Sequence, residues 1–365
     1  MKNDSLKKIF LETHNIKNLR TGFGQFNYNL ARALSKETEF LQDHELILNC
    51  NNPVVKSEIG TTLSYHRYRP ITRYPFFRIK KKFSIWHSVN QNTKIEPASS
   101  NIPYVLTIHD VNFLEEETGK KLDFRINQLN NKIKRSSAIV YVSEFAMFNT
   151  HTHFNVPNIP EYVIYNGNNF NYQHAKHSEL YCSGVVPEKP FIFTIGQVVE
   201  KKNFHTLIEM LPFVPEVDLV IAGDLKSEYA VLLQQKIQAY KLEKRVHLLG
   251  SITESDKIFY YKNCLAFCFP SLREGFGLPV LEAMTFGKPI FLSNKTSLPE
   301  IGGKYSFYWE NFEPKYMAEI FLQGLSFYNQ NTEMYATAYQ NRAQKFTWEN
   351  AAKEYLNVYK SVLNQ

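Results

Sequence analysis

The sequence predicts an α/β fold in two domains, and three observations lead to this prediction. At 365 residues, the chain is longer than one hydrophobic core usually supports. Short apolar runs that suit buried strands recur along the chain, and the stretches between them suit helices. Residues 170–188 are polar and lack clear periodicity, so we expect a linker there.

Two series of apolar runs predict the strands of the two domains. The first series is residues 9–12, 45–50, 83–88, 104–110, 138–145 (a strand leading into a helix start) and 163–167. The second series is residues 190–196, 217–223, 246–251, 265–270 and 289–292. We place the first domain at residues 1–175, the second at 176–345 and a final helix at 346–365. Ser143 and Thr347 are the expected N-caps of the helices that follow them.

Composition indicates a globular protein. A hydrophobic content of 44% with 15% aromatic residues excludes an intrinsically disordered chain. No run of about 18 apolar residues is present, and the apolar run at residues 9–11 is too short for a signal peptide, so we expect a cytoplasmic protein. The four cysteines lack metal-site spacing, and we expect Cys264 and Cys268 to be buried free thiols.

A basic segment lies between Ile59 and Ile95, where Asp and Glu are absent. Its positive charges are Arg67, Arg69, Arg73, Arg78, Lys80, Lys81, Lys82 and Lys94. They exceed the chain's net charge of +7, so the basicity is a local feature. Its interleaved aromatic residues are Tyr65, Tyr68, Tyr74, Phe76, Phe77 and Phe83. This mixture over residues 67–83 suits an anionic membrane surface, and a solvated face or mobile loop is the alternative. No recognised nucleic-acid-binding module accompanies it.

Residues 269–284 carry the strongest functional signal. An apolar strand leads into a loop with two glycines, Gly275 and Gly277, and a proline-started helix follows. Gly287 suits the left-handed end of that helix. Glu274 is expected on the loop and Glu282 within about the first turn of the helix, at the carboxyl edge of a parallel sheet where such folds bind ligands. A ligand with both phosphate and hydroxyl groups would use the helix N-terminus and the carboxylates together.

The spacing Glu274-x7-Glu282, with its glycines and proline, resembles the glutamate pair of retaining glycosyltransferases of family 4. This resemblance extends over nearly the whole chain and is most specific for residues 190–303. It implies the GT-B fold, in which two Rossmann-like domains face each other across a cleft. It also implies that the C-terminal helix crosses back to the N-terminal, acceptor-binding domain, while the second domain binds the nucleotide sugar.

The resemblance assigns further donor-binding residues. Lys202 falls on the family's diphosphate-binding lysine, with an exposed helix-start lysine as the alternative, and Gln197 departs from the arginine that many members carry. The other positions that match are Gly22, Gly24, Gly196, Gly250, Ile252, Gly275, Phe276, Gly277 and Leu278. Gly22 and Gly24 would leave room beside the donor's diphosphate and sugar, and a plain turn is the alternative.

The resemblance makes His109 a candidate catalytic residue, and His87 and Asp110 candidates for the acceptor side. His109 and Asp110 match the His-Asp pair of many family members, in which the histidine faces the reacting sugar. A strand-end histidine can donate to a hydroxyl at neutral pH. The alternative is an Asp110 cap for the following helix with His109 packed nearby. His87 occupies a similar strand end with a weaker motif.

The resemblance implies transfer of a hexose from a nucleotide sugar to a hydroxyl of a glycan or lipid-linked acceptor. The anomeric configuration is retained, no metal or other cofactor is used, and surface polysaccharide synthesis is the expected process. Glu274 would hold the sugar's hydroxyls, Glu282 the ribose, and Lys202 the leaving diphosphate. The alternatives are a non-catalytic nucleotide-sugar-binding or membrane-scaffold protein and a sugar-nucleotide epimerase. A glycoside hydrolase fits poorly, because one loop and the adjoining helix cannot easily place two carboxylates across a bond.

Overall fold

The computed structural model describes residues 6–170 and 182–365, and the chain divides into two compact units. Unit 1 comprises Met1–Gly167 and Thr347–Gln365, and unit 2 comprises Asn168–Phe346. The C-terminal helix belongs to the same unit as the N-terminal sheet, as the fold prediction required. The predicted boundary after residue 175 lies in residues 171–181, outside the described residues.

Unit 1 is built on a seven-stranded parallel sheet of order β3-β2-β1-β4-β5-β6-β7. The strands are β1 Lys7–Leu11, β2 His44–Asn49, β3 Ser64–His66, β4 Ile85–Ser88, β5 Tyr104–Ile108, β6 Ala138–Tyr141 and β7 Glu161–Val163. The helices are α1 Gly22–Leu34, α2 Phe40–Asp43, α3 Pro53–Ile59, α4 Phe113–Glu116, α5 Gly119–Arg135 and α6 Glu144–His153. Short 3-10 turns cover His14–Lys17, Pro70–Arg73 and Pro75–Phe77. The central strands are buried on both faces, which is why their sequences read as continuous apolar runs.

Unit 2 contains a six-stranded parallel sheet of order β10-β9-β8-β11-β12-β13. Its strands are β8 Phe191–Ile195, β9 Asp218–Ala222, β10 Val246–Gly250, β11 Ala266–Phe269, β12 Ile290–Ser293 and β13 Phe307–Trp309. Its helices are α7 His205–Met210, α8 Glu228–Ala239, α9 Glu254–Asn263, α10 Leu278–Thr285, α11 Leu298–Gly302, α12 Pro314–Gln330 and α13 Thr332–Ala343. Two 3-10 turns cover Glu200–Lys202 and Leu211–Phe213.

Both sheets change winding direction at one point, and this decides where polar residues meet. In unit 1 the change lies between β1 and β4, and in unit 2 between β8 and β11. Ligands of open α/β sheets bind outside the carboxyl ends of the strands at such a switch point. The residues that follow these four strands therefore lie where a ligand would bind.

The final helix of the chain, α14 Trp348–Leu363, completes unit 1. Its N-cap is Thr347, whose side chain accepts from the Asn350 amide, as predicted. Phe26 of α1 packs against Trp348 and Tyr355, with ring centroids 5.6 Å and 6.4 Å away. Gly167 lies so close to this helix that a Cβ would stand 2.2 Å from the Trp348 nitrogen.

Most predicted elements are confirmed. The Ser143 cap accepts from the Ala146 amide, Gly287 has a φ of 68°, and Cys264 and Cys268 are buried free thiols. Strands β3 and β13 were missed, because a run of three residues is too short to show the pattern of a strand in the sequence. The strand expected at 163–167 lies earlier, at Glu161–Val163, because Gly167 packs against the final helix instead of pairing in the sheet.

Candidate active site

The loop after β8 carries Lys202 to the switch point of unit 2. Gly196 follows the strand, and the 3-10 turn Glu200–Lys202 ends at Asn203 with a left-handed φ of 58°. The Lys201 carbonyl accepts from the Leu272 amide at 2.8 Å, which ties this loop to the one after β11. A Cβ at Gly196 would lie 3.4 Å from Cε of Lys202, so glycine leaves room for the lysine side chain.

Lys202 and Glu274 meet at this switch point. The ammonium of Lys202 donates a short hydrogen bond to Oε1 of Glu274, and the two side chains are only 11% and 13% exposed. The Lys202 nitrogen also lies 4.8 Å from the ring centroid of Phe269, the last residue of β11. Lys202 is therefore a buried, paired cation, and the alternative of an exposed helix-start lysine is wrong.

The loop that carries Glu274 is held by the segment after β12. The Glu274 amide donates to Oγ1 of Thr296 at 3.1 Å. The buried Ser297 hydroxyl bonds the carbonyls of Glu274 and Phe276, at 3.1 Å and 2.9 Å. Gly277 then begins helix α10 with a φ of 108°, a conformation that favours glycine. These hydrogen bonds fix the loop backbone, including the amides of the residues that come after Glu274.

Glu282 is the fifth residue of α10, at the end of about the first turn as expected, and is 3% exposed. Its Oε1 accepts from Nζ of Lys257 at 2.8 Å and from Nδ2 of Asn169 at 2.9 Å. Its Oε2 accepts from the Tyr261 hydroxyl at 2.9 Å. Burial lowers the pKa of Lys257, but the charges of Glu282 and Glu254 outweigh this and raise it above its ordinary value. The carboxylate is thus balanced by a lysine that stays protonated.

Sequence reasoning missed the partners of Glu282. Lys257 and Tyr261 are four residues apart on α9, so they share one helix face. Their spacing of four residues was the one sequence signal that these two side chains could act together. Asn169 lies in the loop after β7. The sequence gives no periodic signal for it, because the position of a loop residue is set by the tertiary fold alone.

The other predicted donor residues of unit 2 occupy strand ends. Gln197 is exposed just after β8. Gly250 ends β10 with a φ of 70° and has no atom within 4 Å of its Cβ position, and Ile252 follows it, half-buried. Gly275, Phe276 and Leu278 lie on the Glu274 loop and at the start of α10, with the Phe276 side chain buried.

The predicted glycine loop of unit 1 is instead the first turn of a helix. Thr21 caps α1 by accepting from the Gly24 amide, and Gly22 is its first helical residue. A Cβ at Gly24 would lie 2.0 Å from the Asn18 carbonyl oxygen. A Cβ at Gly22 would have no atom within 4 Å. Local packing thus accounts for Gly24, and Gly22 remains open to another role.

The two candidate histidines differ in their hydrogen bonding. Both ring nitrogens of His87 are engaged, by Tyr359 at 2.7 Å and Thr107 at 2.9 Å. Burial lowers its pKa to about 3. His87 thus links the sheet to the final helix, and its geometry does not support the predicted acceptor contact. His109 packs against Phe23 and Phe26 and bonds the Val89 carbonyl at 3.0 Å, with a pKa lowered by burial to about 4.

Asp110 is half-buried beside His109. Its Oδ1 accepts from the Asn112 amide at 3.0 Å, just before helix α4. Its carbonyl accepts from Nε2 of Gln91 at 2.7 Å. The N-cap of α4 is Asn112, so Asp110 forms a turn ahead of this helix and does not cap it.

The basic segment divides into a buried and an exposed part. Tyr68 and Phe83 belong to the core of unit 1, so they are not available to a membrane. Tyr74 and Phe76 are 66% and 82% exposed, and Ile71 and Phe77 are exposed beside them. All its cations except the half-buried Arg78 are exposed as well.

The described part of the chain contains neither a cluster of metal ligands nor a membrane-spanning helix. No group of three or more His, Cys, Asp or Glu side chains there could hold a metal ion. Of the helices in that part of the chain, none has both the length and the apolar character needed to cross a bilayer.

Comparison with known proteins shows a family likeness in the part of the chain that carries this site. Residues 183–341 match the family model described as glycosyl transferases group 1. O-antigen chain mannosyltransferase B of Escherichia coli is 24% identical over 97% of this chain and 99% of its own length. The serotype-specific mannosyltransferase WbdA of E. coli is 34% identical over 44% of this chain, which is 20% of WbdA.

Solved structures extend the likeness to the fold of the whole chain. A glycosyltransferase from Rickettsia africae covers 98% of this chain and 99% of its own, with a TM-score of 0.75 and 16% identity. Anabaena HepE in complex with UDP-glucose covers 98% of this chain and all of its own, with a TM-score of 0.66 and 18% identity. The chain therefore has the GT-B fold of two Rossmann-like domains, and its residues 183–341 match the family model of glycosyl transferases group 1.

Proposed function

We propose that this protein is a retaining glycosyltransferase that moves a hexose from a nucleotide sugar to a hydroxyl of a glycan or lipid-linked acceptor. The observation that carries the proposal is the buried Lys202–Glu274 pair at the switch point of unit 2. A cation and a carboxylate side by side match the two chemical parts of such a donor, a diphosphate and a polyhydroxylated sugar.

Each donor group has a partner in this proposal. Lys202 and the N-terminus of α10 neutralise the negative charge that develops on the leaving diphosphate. Glu274 accepts from hydroxyls of the sugar, and the amides of Phe276, Gly277 and Leu278 hold the ring. Glu282 has one bonded donor on Oε2 and two on Oε1, so Oε2 retains capacity to accept from a ribose hydroxyl.

We further propose that the reaction needs no metal ion, because the charges just named can stabilise the leaving group. A chelator is therefore expected to leave the rate of transfer unchanged. Recovery of lost activity by added Mg²⁺ or Mn²⁺ would contradict this part of the proposal.

The relatives support a choice of sugar and process. Two curated relatives are named as O-antigen chain mannosyltransferases and a third as a serotype-specific mannosyltransferase. We therefore propose mannose as the hexose and a cell-surface polysaccharide as the product, made at the cytoplasmic face of a membrane.

The exposed part of the basic segment supports the membrane site. Ile71, Tyr74, Phe76 and Phe77 present apolar area on two short 3-10 turns, and cations flank them on both sides. An interfacial aromatic cluster with surrounding Lys and Arg binds anionic bilayers through both apolar burial and charge. We propose that residues 67–82 hold unit 1 against an anionic lipid surface.

The donor proposal is tested with a panel of nucleotide sugars that differ in base and hexose. One nucleotide series is expected to raise the melting temperature of the wild type but not of Glu282→Ala, and its mannose derivative to donate to an acceptor glycoside. Binding without transfer would favour the non-catalytic scaffold, and conversion of the nucleotide sugar without an acceptor would favour the epimerase. No response to any nucleotide would overturn the transferase proposal.

The membrane proposal is tested by sedimentation with vesicles of phosphatidylglycerol and phosphatidylcholine. Substituting Lys80, Lys81 and Lys82 by Ser, or Phe76 and Phe77 by Ser, is expected to release the protein from the pellet. The matched control substitutes three exposed lysines of unit 2, Lys226, Lys244 and Lys315, by Ser. Equal pelleting of all variants would refute the membrane site.

A further inference from the structure

The switch point of unit 1 carries a second buried pair, which no part of the donor proposal uses. Glu12 directly follows β1 and is completely buried, and His14 lies two residues later with 8% exposure. Nδ1 of His14 lies 2.8 Å from Oε1 and 3.0 Å from Oε2 of Glu12. Nδ2 of Asn49, the last residue of β2, donates to the same carboxylate at 3.2 Å.

Both sides of the switch point meet at Glu12. Its amide donates to the carbonyl of His87 on β4 at 2.9 Å, and the side chain of Thr93, on the loop after β4, bonds its carboxylate. Burial raises the pKa of Glu12, but the hydrogen bond and charge of His14 outweigh this and lower it. Glu12 is thus an ionised group fixed between two loops, at the place in unit 1 that Lys202 and Glu274 occupy in unit 2.

We infer that the β1–β4 switch point is a binding subsite for a hydroxyl of the acceptor glycan, with His14 as its contact and Glu12 as the residue that positions His14. The inference rests on the proposed transferase function, because it supplies the second substrate of that reaction. It assigns the acceptor a place separate from the donor residues of unit 2.

The bonding of His14 leaves one nitrogen for a ligand. Nδ1 of His14 is engaged by Glu12, whereas Nε2 makes no hydrogen bond to any described residue. A sugar hydroxyl, which can both donate and accept, is a suitable partner for that nitrogen. His87 offers the contrast, since its two nitrogens are both bonded within the unit.

A second buried group nearby lacks a partner. Asn90 follows β4 and is 1% exposed, and its Nδ2 bonds nothing in the described part of the chain. A buried amide without a partner costs stability unless a ligand or water satisfies it. An oxygen of the acceptor glycan is a suitable partner, so the loop after β4 adds a donor to the contact that His14 offers.

The surroundings of His14 also suit a membrane-linked glycan. Its ring lies against Tyr68, with centroids 5.2 Å apart, and Tyr68 lies under Lys17 at 5.6 Å and Arg73 at 5.9 Å. Arg73 belongs to the basic segment that we propose to bind anionic lipid. The subsite is therefore continuous with the membrane surface, and a glycan on a phosphate-linked lipid could reach both.

Binding of octyl α-D-mannoside, measured by calorimetry, tests the inference directly. His14→Ala is expected to weaken binding of this probe at least tenfold, and to raise its KM as an acceptor similarly. The affinity for the nucleotide-sugar donor is expected to stay within twofold. His87→Gln is the matched control, a buried strand-end histidine of the same sheet, and should leave affinity for the probe unchanged.

The positioning role of Glu12 has a spectroscopic test. In protein labelled with ¹⁵N-histidine, the Nε2 signal of His14 should shift when octyl mannoside is added. Glu12→Gln should reduce this shift, because a neutral amide holds the imidazole less strongly than a carboxylate does.

Three outcomes would overturn the inference. The first is unchanged affinity of His14→Ala for the probe, and the second is equal loss of donor and probe binding together with a lower melting temperature. The third is failure of the wild type to bind octyl mannoside at millimolar concentration. None of these outcomes depends on whether the wild type binds a nucleotide sugar. Binding of the nucleotide sugar therefore tests the proposed function separately.

Discussion

Lys202 and Glu274 bind each other across the loops that follow β8 and β11, so two residues expected to hold different parts of one donor are a single ion pair. The pair keeps a nearly buried cation and carboxylate balanced. A bound donor would replace the contact between the two side chains, since its diphosphate can bind Lys202 and its hydroxyls can bind Glu274. The ion pair is thus preorganised for a charged ligand.

The first prediction concerns this pair. Lys202→Met is expected to lower the free energy of unfolding by about 3 kcal/mol, because it leaves Glu274 nearly buried without a counter-charge. The same change is expected to lower kcat about 10²–10³-fold through the loss of charge stabilisation on the leaving group. Urea denaturation and initial rates of transfer measure the two effects.

The double variant Lys202→Met with Glu274→Gln is the control for the first prediction. It should recover most of the lost stability, since no uncompensated charge remains, and it should stay inactive. A double variant no more stable than Lys202→Met would contradict the ion pair as the source of the loss.

The second prediction concerns Lys257, which holds Oε1 of Glu282. Lys257→Met is expected to weaken nucleotide binding about tenfold and to destabilise the protein by about 1–3 kcal/mol, because a buried carboxylate loses its cation. Lys262→Met, on the same helix, should change neither quantity, because the hydrogen bonds to Glu282 come from Asn169, Lys257 and Tyr261. Titration of the nucleotide followed by fluorescence or calorimetry distinguishes the two variants.

The third prediction concerns pH. His87 and His109 have pKa values of about 3 and about 4 in the folded protein, against about 6.5 when unfolded. Because the unfolded chain binds the extra protons, stability is full above pH 6.5 and falls as the pH drops toward 4. The slope is about 1.4 kcal/mol per pH unit for each histidine.

The variant His87→Gln tests this origin of the pH dependence. It should be less stable than the wild type at pH 7.5, because its contacts to Tyr359 and Thr107 are altered, yet lose less stability between pH 7 and pH 5. Denaturation curves at both pH values give the slopes. Parallel slopes for the two proteins would assign the pH dependence to other groups.

The fourth prediction separates the two glycines at the start of α1. Gly24→Ala is expected to destabilise unit 1 by about 1–3 kcal/mol, because its Cβ would overlap the Asn18 carbonyl and force the backbone to move. Gly22→Ala should leave stability unchanged or slightly higher.

The same pair of variants tests the donor role that the resemblance gives to this turn. Gly22→Ala is expected to weaken nucleotide-sugar binding without changing the melting temperature, because only a ligand would meet the added methyl group. Unchanged donor affinity in Gly22→Ala would remove this turn from the donor site.

The order of strands and helices could be predicted from the sequence because the signals are local. Strands such as β11, buried on both faces, are continuous apolar runs, and caps such as Thr347 and Ser143 act within four residues. The Glu274-x7-Glu282 stretch was found for the same reason, since its glycines and proline describe one local turn.

The partners of those residues came only from the tertiary structure. The contacts from Lys202 to Glu274 and from Asn169 to Glu282 join residues 72 and 113 positions apart, and no local pattern records such pairings. His87 shows the same limit, since its strand-end position suggested an acceptor contact until Tyr359, 272 residues away, was found on one nitrogen. The sequence by itself thus determined the elements and the chemical types present. The folded sheets decided which charges neutralise each other, because strand order brings distant loops to one edge.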